Sequence, residues 1–393
     1  MRVVVIGGAG AMGRITVRDL AETASRNIEI VMADRDRAAA RRLAADLPRR
    51  VTVVEADAAS ASSLARAFEG ATVVINACHH DFNLRVMDAA LQAGSHYCDL
   101  GGLFHVTRRQ LRRNARFRRA GLLAVCGMGS APGIVNVMAR AAADGLDRVR
   151  EIHVAVGTRD ATPRQGRSLI ETSYSIQTVL DEASLPAALF TRGALRFVEP
   201  LSRAEPVRFP PPVGLQHPAC TLHSELATLP QSFKSKGVRE VSFRIAFPGD
   251  LADRLRFVHA LGLTSTTPTT VRGRRIVPRD LLVALLAAAP RSAPSGPPDE
   301  YEVLRVTVRG SQGRLGVDVT VDCHVPGMPS WGIGVDIDTG APPSIVAQML
   351  AAGSIEARGV LPPERAIPPQ AFFRELRRRG MRIVQRRTHA RDH

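Results

Sequence analysis

The sequence predicts an α/β protein. A doubly wound parallel sheet comes first, then a mixed α+β domain, then a C-terminal helical segment. Three observations lead there. Short apolar strand signals alternate with helix signals over residues 1–130. Longer, alternating strand signals take over further along. At 393 residues the chain is too long for one small core, so two domains or more are expected. The boundaries read as 1–130 for the first domain, 131–338 for the second and 339–393 for the closing helices.

The elements follow in order. "RVVVIG" is a buried strand, and a helix runs from about Ala11 to Ala24. The pairs "IEIVMAD" and "DRAAARRLAADL", "VTVVEAD" and "SSLARAFEG", and "TVVINAC" and "NLRVMDAALQAG" each read as strand then helix. "HYCDL" is a fifth strand and, after another helix, "LLAVCGM" a sixth. "GSAPGIVNVMARAAADGL" is a helix with Pro132 near its first turn. "REIHVAVGT" and "REVSFRIAF" are longer strands, and "YEVLRVTVRGSQGRLGVDVTVDCHV" is a hairpin turning near Gly313. "LADRLRFVHALG" and "PRDLLVALLAAA" are helices between them, and "APRSAPSGPPDE" is an exposed loop. From Pro342, "PPSIVAQMLAAG" and "PPQAFFRELRRRG" are the closing helices.

Gly8, Gly10 and Gly13 form G-x-G-x-x-G between the first strand and the first helix. In that context the motif is the fingerprint of a Rossmann dinucleotide site. Gly8 permits the tight turn, Gly10 lets pyrophosphate approach, and Gly13 lets helix and strand pack closely. Ala11 and Met12 open the helix, whose first-turn N–H groups face the phosphates. Asp34 ends the second strand, where a carboxylate accepts from a ribose 2′-OH and repels a 2′-phosphate. Arg35 follows and offers the opposite preference. NAD is therefore expected, with NADP the alternative. Asp57 is an adenine contact or a helix N-cap. Asn76, Ala77 and Cys78 end the fourth strand, at the carboxyl edge where ligands collect.

The net charge is +16, yet only Lys234 and Lys236 are lysines and aromatics make up 4%. The arginine runs read as solvated helix faces, and base-stacking surfaces are lacking, so no nucleic-acid partner is expected. No apolar run is long enough to span a membrane. The five scattered cysteines form no C-x-x-C pair, so neither a disulfide framework nor a zinc site is assigned. A cytoplasmic enzyme fits this composition.

These residues resemble the saccharopine dehydrogenase-like family, and within it the lysine 6-dehydrogenase branch. The resemblance rests on "VVVIGGAGAMG" with "ADRD", "VINACHHDFN", "HYCDLGG", "GMGSAPGIVNVMA" and the closing "TGAPPSIVAQML" and "GVLPPERAIPPQAFFRELRRRGM". It implies a nicotinamide cofactor, a second domain carrying substrate contacts and a dimer interface, a C-terminal helical segment that returns to the first domain, and chemistry that interconverts a C–N single bond and an imine. One stretch departs from the pattern. "IAFPGD" puts Ala246, Phe247 and Asp250 where relatives carry Arg, Tyr and His, which takes a cation away from an amino-acid carboxylate.

The function expected is an NAD(P)-dependent oxidoreductase acting on the C–N bond of an amino acid or diamine. The alternatives are a reductase joining an amine to an aldehyde or keto acid, and a cofactor-binding protein without turnover. The partners are a small amine or amino-acid substrate and a second copy of the chain. Asp99, at the end of the fifth strand, contacts substrate or braces a loop. His79 and His80, after the fourth strand, are acid/base candidates or loop histidines. Gly102, Pro132 and Gly133 lie on the substrate side. The resemblance implies that His223 and Glu225 face the substrate; otherwise they end an exposed strand. Arg244, two residues before Ala246 and so on its face, is the replacement cation for a carboxylate.

Overall fold

The computed structural model describes residues 1–389 apart from 167, 168, 171, 173, 174 and 291. The strand–helix periodicity of the first third becomes β1 (Arg2–Ile6), α1 (Ala11–Thr23), β2 (Glu29–Asp34), α2 (Arg37–Ala45), β3 (Thr52–Glu55), α3 (Ala61–Ala67), β4 (Val73–Asn76), α4 (Asn83–Gln92), β5 (His96–Asp99), α5 (Leu103–Leu111), α6 (Asn114–Arg119) and β6 (Leu123–Val125). The strands form one parallel sheet in the order β6-β5-β4-β1-β2-β3. Both faces are covered by helices, so β1 and β4 read as unbroken apolar runs rather than alternating ones. The order reverses between β1 and β4, which opens a crevice at their carboxyl ends.

α7 (Ile134–Asp144) leads out of this sheet into β7 (Arg148–Asp160). Pro132 precedes α7 rather than sitting in its first turn, and Gly133 is the N-cap at φ +132°. A Cβ on Gly133 would collide with Gly129. The second sheet is mixed. β7 pairs in parallel with the strand Glu240–Ile245 and antiparallel with Glu300–Gln312. Leu315–Val325 closes the expected hairpin, with its turn at Gly313. Helices α8 (Ile176–Ser184), α9 (Glu225–Ser232), α10 (Leu251–Ala260) and α11 (Pro278–Ala288) lie along this part of the chain.

The closing segment differs from its expectation in two ways. α12 (Ile337–Ala351) begins five residues before Pro342, so two prolines lie inside it. Proline has no N–H and is tolerated at a first turn. Here burial of nearly the whole helix against α1 outweighs that preference. The chain also returns to both domains. Gly359–Leu361 adds a strand beside β6. The helices α13 (Pro363–Ala366) and α14 (Pro369–Arg378) follow, and the final strand Arg382–His389 joins the second sheet beside Leu315–Val325. One apolar cluster runs from Val135 and Met138 of α7 through Val306 and Val319 of the second sheet to Ile345 and Phe372.

A buried ion pair ties the end of the chain to its start. The Arg379 guanidinium donates to Asp19 of α1 through Nε (2.7 Å) and Nη2 (2.8 Å), and Ser344 Oγ donates to the same carboxylate. Both charged side chains are almost fully buried. Arg379→Met would leave Asp19 charged and uncompensated. The expected loss is about 3–5 kcal/mol of unfolding free energy, read from urea titration, and an unchanged midpoint would contradict it.

Candidate functional site

At the glycine loop the tight turn belongs to Gly7, at φ +75°, rather than to Gly8. Its N–H donates to Ala33 O (2.9 Å), and Gly10 N–H donates back to Gly7 O (3.0 Å). Gly8 packs on Met32, and a Cβ on Gly13 would collide with Gly7 O. A Cβ on Gly10 would meet only Gly7 O, at 3.2 Å, with open space beyond. Gly10 caps α1 with no side chain over the first-turn N–H groups. That is the cradle a pyrophosphate needs, so the loop fits the expected cofactor. Asp34 closes the loop by accepting from Ala9 N–H (2.9 Å) and Asp36 N–H (3.0 Å). Arg35 is exposed beside it. Asp57 is exposed and accepts from Ala59 N–H, and the N-cap of α3 is Ser60 instead.

A cavity of about 460 Å³ opens between this loop and the second sheet. Ala11, Met12, Ala77, Cys78, His79, His80, Gly102, Pro132 and His223 of the expected residues line it. Burial pushes the Cys78 thiol up to about 12, so it stays protonated. His80 Nε2 lies 3.5 Å from Asp181 Oδ2 of α8, and Asp181 is itself paired with Arg279. Burial, then the neighbouring His79, push the His80 pKa below its ordinary value, so it is a neutral acceptor at physiological pH. His79 Nδ1 lies 3.2 Å from Asp81.

His223 sits between two glutamates, with Nδ1 3.3 Å from Glu225 and Nε2 3.4 Å from Glu182, and its ring stacks on Phe243 at 3.7 Å. Burial alone would lower its pKa. The Glu225 and Glu182 carboxylates outweigh burial and raise it to about 10. Glu225 is fully buried at the start of α9 and reaches the cavity only through His223, so this segment is not an exposed strand end.

Two of the expected residues lie outside the cavity. Asp99 does not line the cavity. It is fully buried and accepts from Tyr97 Oη (2.9 Å), Gln110 Nε2 (2.5 Å), Gly101 N–H (3.0 Å) and Gly127 N–H (2.7 Å). Its place is a brace. Asn76 is buried in the same network, donating to Asn83 and Tyr97 and accepting from Cys78 N–H. Arg244 also lies away from the cavity, bound to Glu205 (2.6 Å), Ser242 Oγ and Arg203 O. In that strand Phe243 and Ile245 face the cavity, so Arg244 and Ala246 take the opposite face. Of "IAFPGD" only Ile245 therefore lines the cavity, and Asp250 pairs with Arg254 on the surface.

The structure adds acidic residues that the sequence reading missed: Glu182 on α8, Glu302 in the second sheet, and Asp336 and Asp338 at the start of α12. Glu302 had a readable signal. It shares a strand face with the buried Leu304, Val306 and Val308, where a carboxylate is out of pattern. Among the described lining residues there is no lysine or arginine.

Comparison with known proteins agrees with this architecture. Residues 3–125 match the saccharopine dehydrogenase NADP binding domain, and residues 129–381 match the saccharopine dehydrogenase C-terminal domain. The chain belongs to the saccharopine dehydrogenase family. It is an NAD(P)-dependent oxidoreductase of that family. Carboxyaminopropylagmatine dehydrogenase from Synechocystis sp. is 24% identical over 297 residues, covering 73% of this chain and 72% of the relative. The fold matches that of saccharopine dehydrogenase (L-Glu forming) from Saccharomyces cerevisiae with a TM-score of 0.73 at 17% identity, over 98% of this chain and 99% of the other. Homospermidine synthase from Legionella pneumophila, solved with NAD, gives 0.66 at 13% identity, over 98% and 91%.

Two outcomes check the site. Gly10→Val is expected to keep the circular-dichroism spectrum and lose NAD(P)H binding in a fluorescence titration, whereas Gly13→Val loses the fold. Equal cofactor affinity in Gly10→Val would refute the cradle. For His223, a folded value of about 10 lies above the ordinary 6.5. The stabilisation it gives is complete below pH 6.5 and disappears as pH rises towards 10. Thermal melts across that range should fall more steeply for the wild type than for His223→Gln.

Proposed function

We propose that this protein oxidises or forms the C–N bond of a small cationic amine, with NAD as the preferred cofactor. The observation that supports it is the cavity beside the glycine loop, lined by Glu182, Glu302 and Asp338 and by no described lysine or arginine. Such walls favour an ammonium, and the one cation described among them, the His223 imidazolium, is already held between the Glu182 and Glu225 carboxylates rather than offered to a free α-carboxylate. A charge-assisted bond contributes about 1.5–3 kcal/mol, so losing one costs an amino acid roughly ten- to a hundredfold in affinity. This favours the amine over the amino-acid half of the expected substrate class.

The nicotinamide supplies the hydride acceptor or donor when bound. The protein's own groups then have two tasks. His80, neutral and oriented by Asp181, accepts the proton that leaves nitrogen as the amine becomes an imine, and returns it in reduction. His223, protonated between Glu182 and Glu225, donates hydrogen bonds and steadies Glu182 as a partner for the substrate nitrogen. NAD is preferred in this reading because Asp34, at the end of β2, would face a 2′-phosphate with a like charge.

The test follows reduced nicotinamide with diamines, monoamines and lysine, using NAD and NADP in turn. Amines without an α-carboxylate are expected to react in preference to lysine, with NAD, and His80→Gln is expected to lower kcat about 10²–10⁴-fold. Arg244→Ala should be silent. Better turnover of lysine than of any plain amine would refute the reading. Activity only when an aldehyde or keto acid is added would assign the joining reaction instead.

A further inference from the structure

The cavity has a second polar end that the proton chemistry above does not use. Glu302 lies in the strand Glu300–Gln312 and Asp338 in the first turn of α12, and both line the cavity. They are 8% and 2% exposed. Glu302 Oε2 accepts from Thr158 Oγ1 (2.9 Å), and Asp338 Oδ1 accepts from Thr339 Oγ1 (3.0 Å). Asp338 Oδ2 receives no hydrogen bond from a described donor. Neither carboxyl is paired with a described Lys, Arg or His side chain. The charged groups around the pair are of the same sign: Asp336 faces both carboxyls, and Glu300, which has Arg164 at 3.8 Å, faces Glu302. The Cys323 thiol, buried behind Asp338, stays protonated.

Two buried carboxyls side by side, with no cation, are costly to hold. Burial, then mutual repulsion, push Asp338 well above the usual carboxylate range. Burial pushes Glu302 up as well, offset in part by its bonds to Asp338 and Thr158. The pair therefore holds a proton between its members when the cavity has no cation in it. Apolar residues packed at the same position would be more stable. Pure fold stability does not account for the pair, but a ligand with a positive charge does. Val156, Ile245 and Val335 line the cavity with these carboxyls and offer an apolar wall to methylene groups.

We propose that Glu302 and Asp338 bind a second amino group of the substrate, which makes the substrate a diamine or polyamine rather than a monoamine. This rests on the amine reading above and narrows it. The arriving group is R–NH₃⁺. It replaces the shared proton, which leaves to solvent, and both carboxyls become ionised around it.

The experiment compares putrescine and cadaverine with pentylamine by calorimetry, in the full-length protein saturated with reduced cofactor, at pH 7 in two buffers of different ionisation enthalpy. In the wild type the better diamine is expected to bind about ten- to a hundredfold more tightly than pentylamine, with release of close to one proton. In Glu302→Gln and Asp338→Asn the diamine preference and the proton release are expected to vanish. Thermal stability of the free variants is expected to hold or rise, because a buried repulsion is removed. Equal affinity for diamine and monoamine in the wild type overturns the proposal, as does a diamine preference that survives both variants. So does a requirement for an added divalent metal. Turnover distinguishes the two readings: oxidation of pentylamine as efficient as that of cadaverine defeats the second subsite and leaves the amine reading standing. Lack of turnover of every amine and imine, in both directions, defeats the amine reading itself.

Discussion

The Asp99 carboxylate is the point on which the site's framework depends. Three segments converge there that are distant in sequence: Tyr97 and Gly101 around the end of β5, Gln110 of α5, and Gly127 after β6. Tyr97 extends the network to Asn76 at the end of β4, and Asn76 to Asn83 at the start of α4. Asn83 in turn donates to Gly101 O. The loops that carry His79, His80, Leu100, Gly102, Ser130 and Pro132 into the cavity are therefore anchored to one buried network. Burial pushes the Asp99 pKa up, and four donors pull against that. Each bond to a charged acceptor contributes about 1.5–3 kcal/mol, enough in sum to hold a carboxylate in a place without water.

That network builds only half of the cavity. The other half comes from the second sheet and from α8, α9 and α12, so the site depends on how the two sheets are joined. α12 makes the join. Thr16 Oγ1 of α1 donates to Gly340 O (2.7 Å), which fixes the start of α12 beside the glycine loop. Thr339 Oγ1 lies in hydrogen-bond contact with Ser130 Oγ (3.1 Å), which ties it to the loop after β6. Asp338 lies one residue away from these contacts, so its position follows from the same packing that sets the cofactor cradle.

The parallel sheet was legible because its central strands β1, β2 and β4 are buried apolar runs and helix signals alternate with them. The hairpin was legible from its alternation. Features set by distant contacts were not. "HYCDLGG" puts an aspartate at a carboxyl edge whether it points to a ligand or to Gly127, and only the fold decides. Arg244 lies on the strand the sequence indicates, but on the face away from the cavity. Phe243 and Ile245, the bulky apolar residues of that strand, were the signal for the inward face. The final strand, Arg382–His389, has mostly exposed, basic positions. Its pairing is an edge addition to an existing sheet, for which no apolar pattern is needed. The acids of the cavity were hidden for the opposite reason, being single polar residues within apolar segments.

The chain's charge and its cavity's charge have opposite signs, and distance settles which one a ligand feels. The net charge is +16. Exposed arginines such as Arg108, Arg109, Arg112 and Arg118 on α5 and α6 and in their surroundings carry much of it. Salt screens exposed charges over about 8 Å under physiological conditions. At long range the surface favours an anion, which suits a dinucleotide carrying a pyrophosphate. Inside the cavity screening is weaker and the nearest charges dominate. There Glu182, Glu302 and Asp338 face the ligand, with His223 held between Glu182 and Glu225. A positive exterior thus coexists with a cavity whose lining carboxyls suit the cation proposed for it. The net charge of the sequence speaks to the approach of the cofactor and says nothing about the sign of the substrate.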